Sequence, residues 1–142
     1  MKMKKNRIMV IDDDELFLEE INEALNLSGF TVSVFKNSSD ACRVINKFKP
    51  DIILLNLNLL NHNELRLDDD ICLSDEFSHT PIIAMTVFFI GIEELLQMCF
   101  FCIKKVIIKP FDPQIVIRAI EDIVIKSHTD GLNYDLINNH PG

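Results

Sequence analysis

The run Asp51-Ile-Ile-Leu-Leu-Asn-Leu57 limits the folds open to this chain more than any other segment. Its apolar residues are continuous rather than alternating, so the strand Ile52–Leu57 must be covered on both faces. Strands covered in this way belong to parallel sheets, where crossover helices lie above and below. Four further segments read as strands: Ile8–Ile11, Thr31–Phe35, Ile82–Thr86 and Val106–Ile108.

Between these strands the apolar spacing turns helical. Leu16, Phe17, Ile21, Ala24 and Leu25 form one stripe, stopped by Gly29. Ser38 or Ser39 is placed to cap a helix whose apolar face is Ala41, Val44, Ile45 and Phe48, with Pro50 after its end. Residues 58–80 are interrupted by Asp68–Asp70 and are expected to form a short, distorted helix. Ile92, Leu95, Leu96, Cys99 and Ile103 make another stripe. Asp112 can cap a last helix, with Pro113 at its first position and Ile115 or Val116, Ala119, Ile120 and Ile123 facing inward. Five strands alternating with five helices imply an α/β fold, a doubly wound parallel sheet with right-handed crossovers. The expected organisation is one domain over residues 1–126, followed by a polar, aperiodic tail or truncated linker over residues 127–142.

The length of 142 residues suits one domain with a real core. A composition 48% hydrophobic and 25% charged is that of a globular chain rather than a disordered one. The formal charge of −8 disfavours nucleic acid as a partner, since that affinity rests on cations at phosphates. The one dense basic cluster, Lys2, Lys4, Lys5 and Arg7, reads as a solvated terminus. No apolar stretch approaches the ~20 residues of a membrane span, and the N-terminus lacks the apolar core of a secretory signal. A cytoplasmic location without membrane attachment is the expectation. Cys42, Cys72, Cys99 and Cys102 do not read as a disulfide framework, and Cys99-x-x-Cys102 reads as packed thiols. The four histidines show no ligand spacing.

Ligands of doubly wound sheets bind beyond the carboxyl ends of the strands. Asp12–Asp14, Asn56, Thr86 and Lys109 all fall at such ends. On Ile8-Met-Val-Ile-Asp-Asp-Asp14, Pro50-Asp-Ile-Ile-Leu-Leu-Asn56, Pro81-Ile-Ile-Ala-Met-Thr86 and Lys109-Pro-Phe111, the chain resembles the receiver domain of bacterial two-component response regulators, from about Arg7 to Lys126. The resemblance implies the CheY-like strand order 2-1-3-4-5 and a cis bond between Lys109 and Pro110. It implies Mg²⁺ at Asp12 and Asp13, with a backbone carbonyl from Asn58. It also implies Thr86 on a phosphoryl oxygen, Lys109 paired with the acceptor or its phosphoryl group, and an acceptor aspartate at position 56 that attacks a phosphohistidine. A local alternative is that Asp13 or Asp14 caps the following helix.

Asn56 departs from that pattern. A carboxamide is a very poor nucleophile, and no acyl phosphate forms on it. The pocket is one unit less negative than with aspartate, so Mg²⁺ binding should be weakened and Lys109 should lean toward Asp12 and Asp13. The family's Met-Pro and Asp-Gly after the acceptor are Leu59, Leu60, Asn63 and Glu64 here, and its rotating aromatic is Val106. Small residues usually precede the fifth strand, where this chain has Phe101, Cys102 and Ile103. These losses together point to a degenerate, phosphorylation-independent receiver with no catalytic activity, signalling through protein contacts.

A partner surface is expected at Phe88, Phe89, Met98 and Phe101, which lie off the buried stripe. The resemblance places a histidine kinase, an output protein or a second copy on the face made by the fourth helix, fifth strand and fifth helix. Asp68–Asp70, Asp75 and Glu76 read as a solvated loop rather than a second metal site. Two other readings remain open. One is a phosphoaccepting receiver in which Asn56 is an introduced replacement for the acceptor aspartate. The other is a small-ligand binder using the acidic pocket, although four glycines in the whole chain leave no glycine-rich phosphate loop.

Overall fold

The computed structural model describes residues 6–56, 80–87 and 103–130. Strand β1 (Arg7–Ile11) leads into helix α1 (Glu15–Leu27), β2 (Thr31–Phe35), α2 (Ser38–Phe48) and β3 (Ile52–Asn56). Then come β4 (Ile82–Thr86), β5 (Ile103–Ile108) and helix α3 (Pro113–Asp130). The five strands form one parallel sheet in the order β2-β1-β3-β4-β5. The helices expected within 58–80 and 92–103 fall largely outside the described residues, as do Asn58, Phe88, Phe89, Met98 and Phe101.

The continuous apolarity of β3 has the predicted consequence. Ile52 and Leu54 pack on one side with Ile8, Val10, Ile83 and Met85, under α1 and α3. Ile53 and Leu55 pack on the other side with Met9, Ile11, Ile82 and Ala84, under α2. Every residue of β3 and β4 is buried, which a sheet with only one covered face could not achieve.

Local chemistry sets the helix ends. The Asp14 carboxylate accepts from the Phe17 N–H at 3.2 Å and caps α1. At the other end, the Phe30 N–H donates to the Leu25 carbonyl and the Gly29 N–H to the Asn26 carbonyl, each at 3.0 Å. This paired closure needs a left-handed residue, and Gly29 supplies it with φ +94°. The inward face of α1 is Leu18, Ile21 and Leu25; Leu16, expected in the stripe, is 65% exposed. The start of α1 at Glu15 turns Leu16 outward and brings Leu18 under the sheet. Helix α2 is capped by Asn37, whose side chain accepts from the Asp40 N–H at 2.8 Å, rather than by Ser38 or Ser39. Helix formation begins at Ser38, so the preceding residue takes the capping place.

Strand β5 begins three residues earlier than the apolar run predicted. Ile103, assigned to a helical stripe from the sequence, opens this strand and packs with Val106 on the α2 side. Residues three apart share a face here because the register slips: Ile82 pairs with Ile103, but Ile83 pairs with Lys105. The irregularity leaves Lys104 and Lys105 both exposed and hides the strand's period. In α3 the inward residues are Val116, Ile117, Ala119 and Ile120, with Ile123 packed against them, while Ile115 is exposed. The Asp112 carboxylate accepts from the Gln114 N–H at 2.9 Å at the start of that helix. The helix continues through Ser127–Asp130, four residues into the segment read as aperiodic. Among the described residues no helix is long and apolar enough to cross a membrane.

Candidate functional site

The polar locus is assembled by strand register. β1 lies between β2 and β3, with Ile11 opposite Leu55, so the next residues on each strand, Asp12 and Asn56, emerge side by side. Asn56 is in turn opposite Met85, which puts Thr86 one step beyond it on β4. Thr86 is opposite Ile108, and its carbonyl accepts from the Lys109 N–H at 2.7 Å. The chain then passes through a cis Lys109–Pro110 bond. Asp12, Asn56 and Thr86 are the buried polar residues among those described, at 0%, 3% and 3% exposure. Three such groups at one end of an otherwise apolar core mark the place where the fold accepts a desolvation cost.

Asp12 is the hub. Its Oδ1 accepts from the Asp14 N–H at 2.9 Å and from the Asn56 Nδ2 at 3.2 Å. Its Oδ2 accepts from the Lys109 Nζ at 2.5 Å, an ion pair whose side chains are 0% and 15% exposed. The carboxylate can only accept hydrogen bonds, so the amide of Asn56 must turn its NH₂ toward it. Aspartate at position 56 would bring a second carboxylate to the same distance, a like-charge contact that calls for a cation. Asparagine turns that contact into a hydrogen bond.

Asp13 and Asp14 are exposed, and Asp14 serves as the cap of α1. The carboxylates assigned to Mg²⁺ from the sequence are thus Asp12, with both oxygens engaged, and Asp13 at the mouth. Among the described residues no group of three or more His, Cys, Asp or Glu side chains converges to hold a metal. Mg²⁺ demands a near-octahedral oxygen shell and keeps waters readily. The donor set present meets only part of that demand.

Val106 lies half-buried on β5 opposite Ala84 and packs into the α2-side core. Cys42 is half-buried in the same layer, packed against the α2-side core.

Two site residues carry no signal in a polar motif. In the sequence Phe17 is one member of an apolar stripe, and Phe111 is the end of a Lys-Pro-Phe run. In the fold, the Lys109 Nζ sits 4.2 Å from the centroid of the Phe17 ring. Phe111 meets that ring edge-on, with centroids 5.8 Å apart and an interplanar angle of 88°. Phe17 is the third residue of α1, five positions after Asp12. An aromatic at that offset from a pocket carboxylate is the sequence feature that would have found it.

Comparison with known proteins agrees with this geometry. Residues 8–121 match the model of the response regulator receiver domain. The chain is 28% identical over 81 residues to the polar-differentiation response regulator DivK of Brucella anthropi, covering 57% of this chain and 66% of DivK. It is 31% identical over 87 residues to the DNA-binding response regulator MtrA of Mycolicibacterium smegmatis, covering 61% of this chain and 36% of MtrA. The matches thus span less than two thirds of either relative. Among solved structures, the chemotaxis response regulator CheY4 of Vibrio cholerae superposes with a TM-score of 0.73 at 16% identity, covering 84% of this chain and 99% of that one. A response regulator from Desulfuromonas acetoxidans gives 0.72 at 23% identity, covering 84% and 96%. With the family model spanning most of the sequence and the five-stranded 2-1-3-4-5 sheet in place, the chain belongs to the response regulator receiver domain family of two-component signalling.

Proposed function

We propose that this receiver domain signals without being phosphorylated at position 56, and that it acts through contacts with other proteins rather than by catalysis. The observation that carries the reading is the bond between the Asn56 amide and Asp12 Oδ1 inside a buried pocket. The acceptor position holds a group that cannot form an acyl phosphate, and the pocket around it is already hydrogen-bonded and charge-paired. Lys109 has its counter-ion in Asp12, so no phosphoryl group is needed to engage it. Val106 offers no aromatic ring to swing inward and report a phosphorylation event. Mg²⁺ binds at most weakly at Asp12 and Asp13, because an incoming ion competes with the Lys109 ammonium for Asp12. The partner is a kinase, an output protein or a second copy, contacting the face that carries β5 and α3.

Incubation with Mg²⁺ and phosphoramidate, followed by intact mass, is the direct test. The mass should stay unchanged, and a stoichiometric, base-labile phosphoryl adduct would overturn the proposal.

A second reading has support in the retained Asp12, Thr86 and Lys109 and in the cis Lys109–Pro110 turn. In it the domain is an ordinary phosphoaccepting receiver in which Asn56 replaces the acceptor. The Asn56→Asp variant separates the two. If it takes up one phosphoryl group, the pocket lacked only its acceptor. If it does not, the loss extends to the surrounding residues.

A further inference from the structure

We infer that Phe17 is a positioning residue that seats the Lys109 ammonium against Asp12, supplying negative potential where the neutral Asn56 supplies no charge. With Asn56 neutral, Asp12 is the carboxylate bonded to Lys109 among the described residues, and the lysine side chain is only 15% exposed. A partly desolvated ammonium paired with a carboxylate gains from any further negative potential within reach. The face of an aromatic ring supplies one, and the Nζ lies 4.2 Å from the Phe17 centroid, inside the range where such attraction is appreciable.

The seat is built rather than incidental. The Phe17 backbone N–H is held by the Asp14 cap, and the Asp14 N–H is held by Asp12 Oδ1. Asp12 in turn holds Lys109, so a closed circuit runs from carboxylate to cap to ring to ammonium and back. The ring is also braced by a T-shaped contact with Phe111, two residues after Lys109. Segment 12–17 therefore delivers both the anion and the π face, and segment 109–111 delivers both the cation and the brace. The inference rests on the proposed function in one respect, that the pocket stays unphosphorylated in use. Its consequence is that Lys109 stays docked on Asp12 and the β5–α3 connection keeps one arrangement.

The test replaces Phe17 with 4-fluoro-, 3,5-difluoro- and 3,4,5-trifluorophenylalanine, which keep the ring shape while draining charge from its face. The readout is the acylation rate of each lysine by acetic anhydride in the folded protein, followed by peptide mass spectrometry. Lys109 acylation should rise stepwise along the series, by about two- to fivefold in total, the scale of a cation–π contact. Lys36, exposed and paired with Glu15 rather than with the ring, should not change. Phe17→Tyr should match the parent, and Phe17→Leu should equal or exceed the trifluoro protein. A Lys109 rate that is flat across the fluorinated series would overturn the inference and reduce Phe17 to a packing residue. This readout is taken on unphosphorylated protein, so a phosphoryl adduct would defeat the proposed function without deciding this point.

Discussion

The two ends of the sheet handle polar groups in opposite ways. At the amino end, Arg7 and Asp51 are half-buried and bond to backbone. The Arg7 N–H donates to the Asp51 carboxylate at 2.8 Å, and the Asp51 N–H returns to the Arg7 carbonyl at 2.7 Å. The Arg7 Nε donates to the Phe48 carbonyl at the end of α2, and its guanidinium lies 4.3 Å from the Phe48 ring centroid. These contacts tie β1 to the α2–β3 connection and stay partly in water. At the carboxyl end, Asp12, Asn56 and Lys109 bond mainly to one another, and the core shields them. The first arrangement finishes helix and strand ends. The second spends stability on polar groups that no backbone requirement demands, which is the physical mark of a site.

The largest effect expected from this contrast is at Lys109. Lys109→Met leaves the Asp12 carboxylate fully buried without its cation, although two hydrogen-bond donors remain. Breaking one side of such a pair costs on the order of 3 kcal/mol. Urea unfolding should show that loss, and the double variant Asp12→Asn/Lys109→Met should recover part of it. Equal stability of Lys109→Met and parent would mean that the carboxyl end is no more committed than the amino end.

Asn56→Asp comes next. It replaces a hydrogen bond to a charged group by two facing carboxylates. In EDTA the variant should lose roughly 2 kcal/mol, the scale of a charge-assisted bond. Millimolar Mg²⁺ should restore much of it, by binding the folded state alone. The parent should respond little to Mg²⁺. A parent stabilised by Mg²⁺ as strongly as the variant would show that the amide does not stand in for the cation.

Arg7→Gln samples the other end. It removes the bond to the Phe48 carbonyl and the contact over the Phe48 ring, in a setting where water can substitute. The expected loss is about 1 kcal/mol in urea unfolding. A loss as large as that of Lys109→Met would break the distinction between finishing contacts and site contacts.

The contrast also explains what could be read from the residues alone. β3 and β4 declare themselves because unbroken apolarity has one explanation, cover on both faces. The strand ends then put Asp12, Asn56, Thr86 and Lys109 together, since register carries neighbouring strands to the same level. The start of β5 was hidden because the slip after Ile103 destroys the two-residue period and exposes two adjacent lysines. The cap at Asn37 was missed because Ser38 and Ser39 satisfy the same preference one and two residues later. Leu16 and Leu18 are chemically alike, and only the starting residue of α1 decides which is buried. The Phe17 seat was invisible for a different reason: a ring facing a cation leaves the apolar stripe intact and adds no polar residue to a motif.

The smallest predicted effect separates burial from mere location. Glu15 opens α1 beside the site and pairs with Lys36 of the β2–α2 connection, yet the two side chains are 69% and 59% exposed. The hydrogen bond from Lys36, reinforced by its charge, holds the Glu15 carboxyl below the usual glutamate value, with a small opposing push from desolvation. A carboxyl lowered on folding adds stability that is complete above its unfolded value and is lost as pH falls through its folded value. The pair should therefore contribute at neutral pH and fade only as the medium drops below the ordinary glutamate range. Because both partners are solvated, the contribution should be slight and should shrink further in high salt. Comparing the urea midpoints of parent and Glu15→Gln from neutral to acid pH isolates it: the curves should lie close together at pH 7 and converge in acid. A large gap at neutral pH, comparable to that of Lys109→Met, would mean that the carboxyl end of the sheet is sensitive as a whole, and that burial of Asp12 is not what sets the site apart.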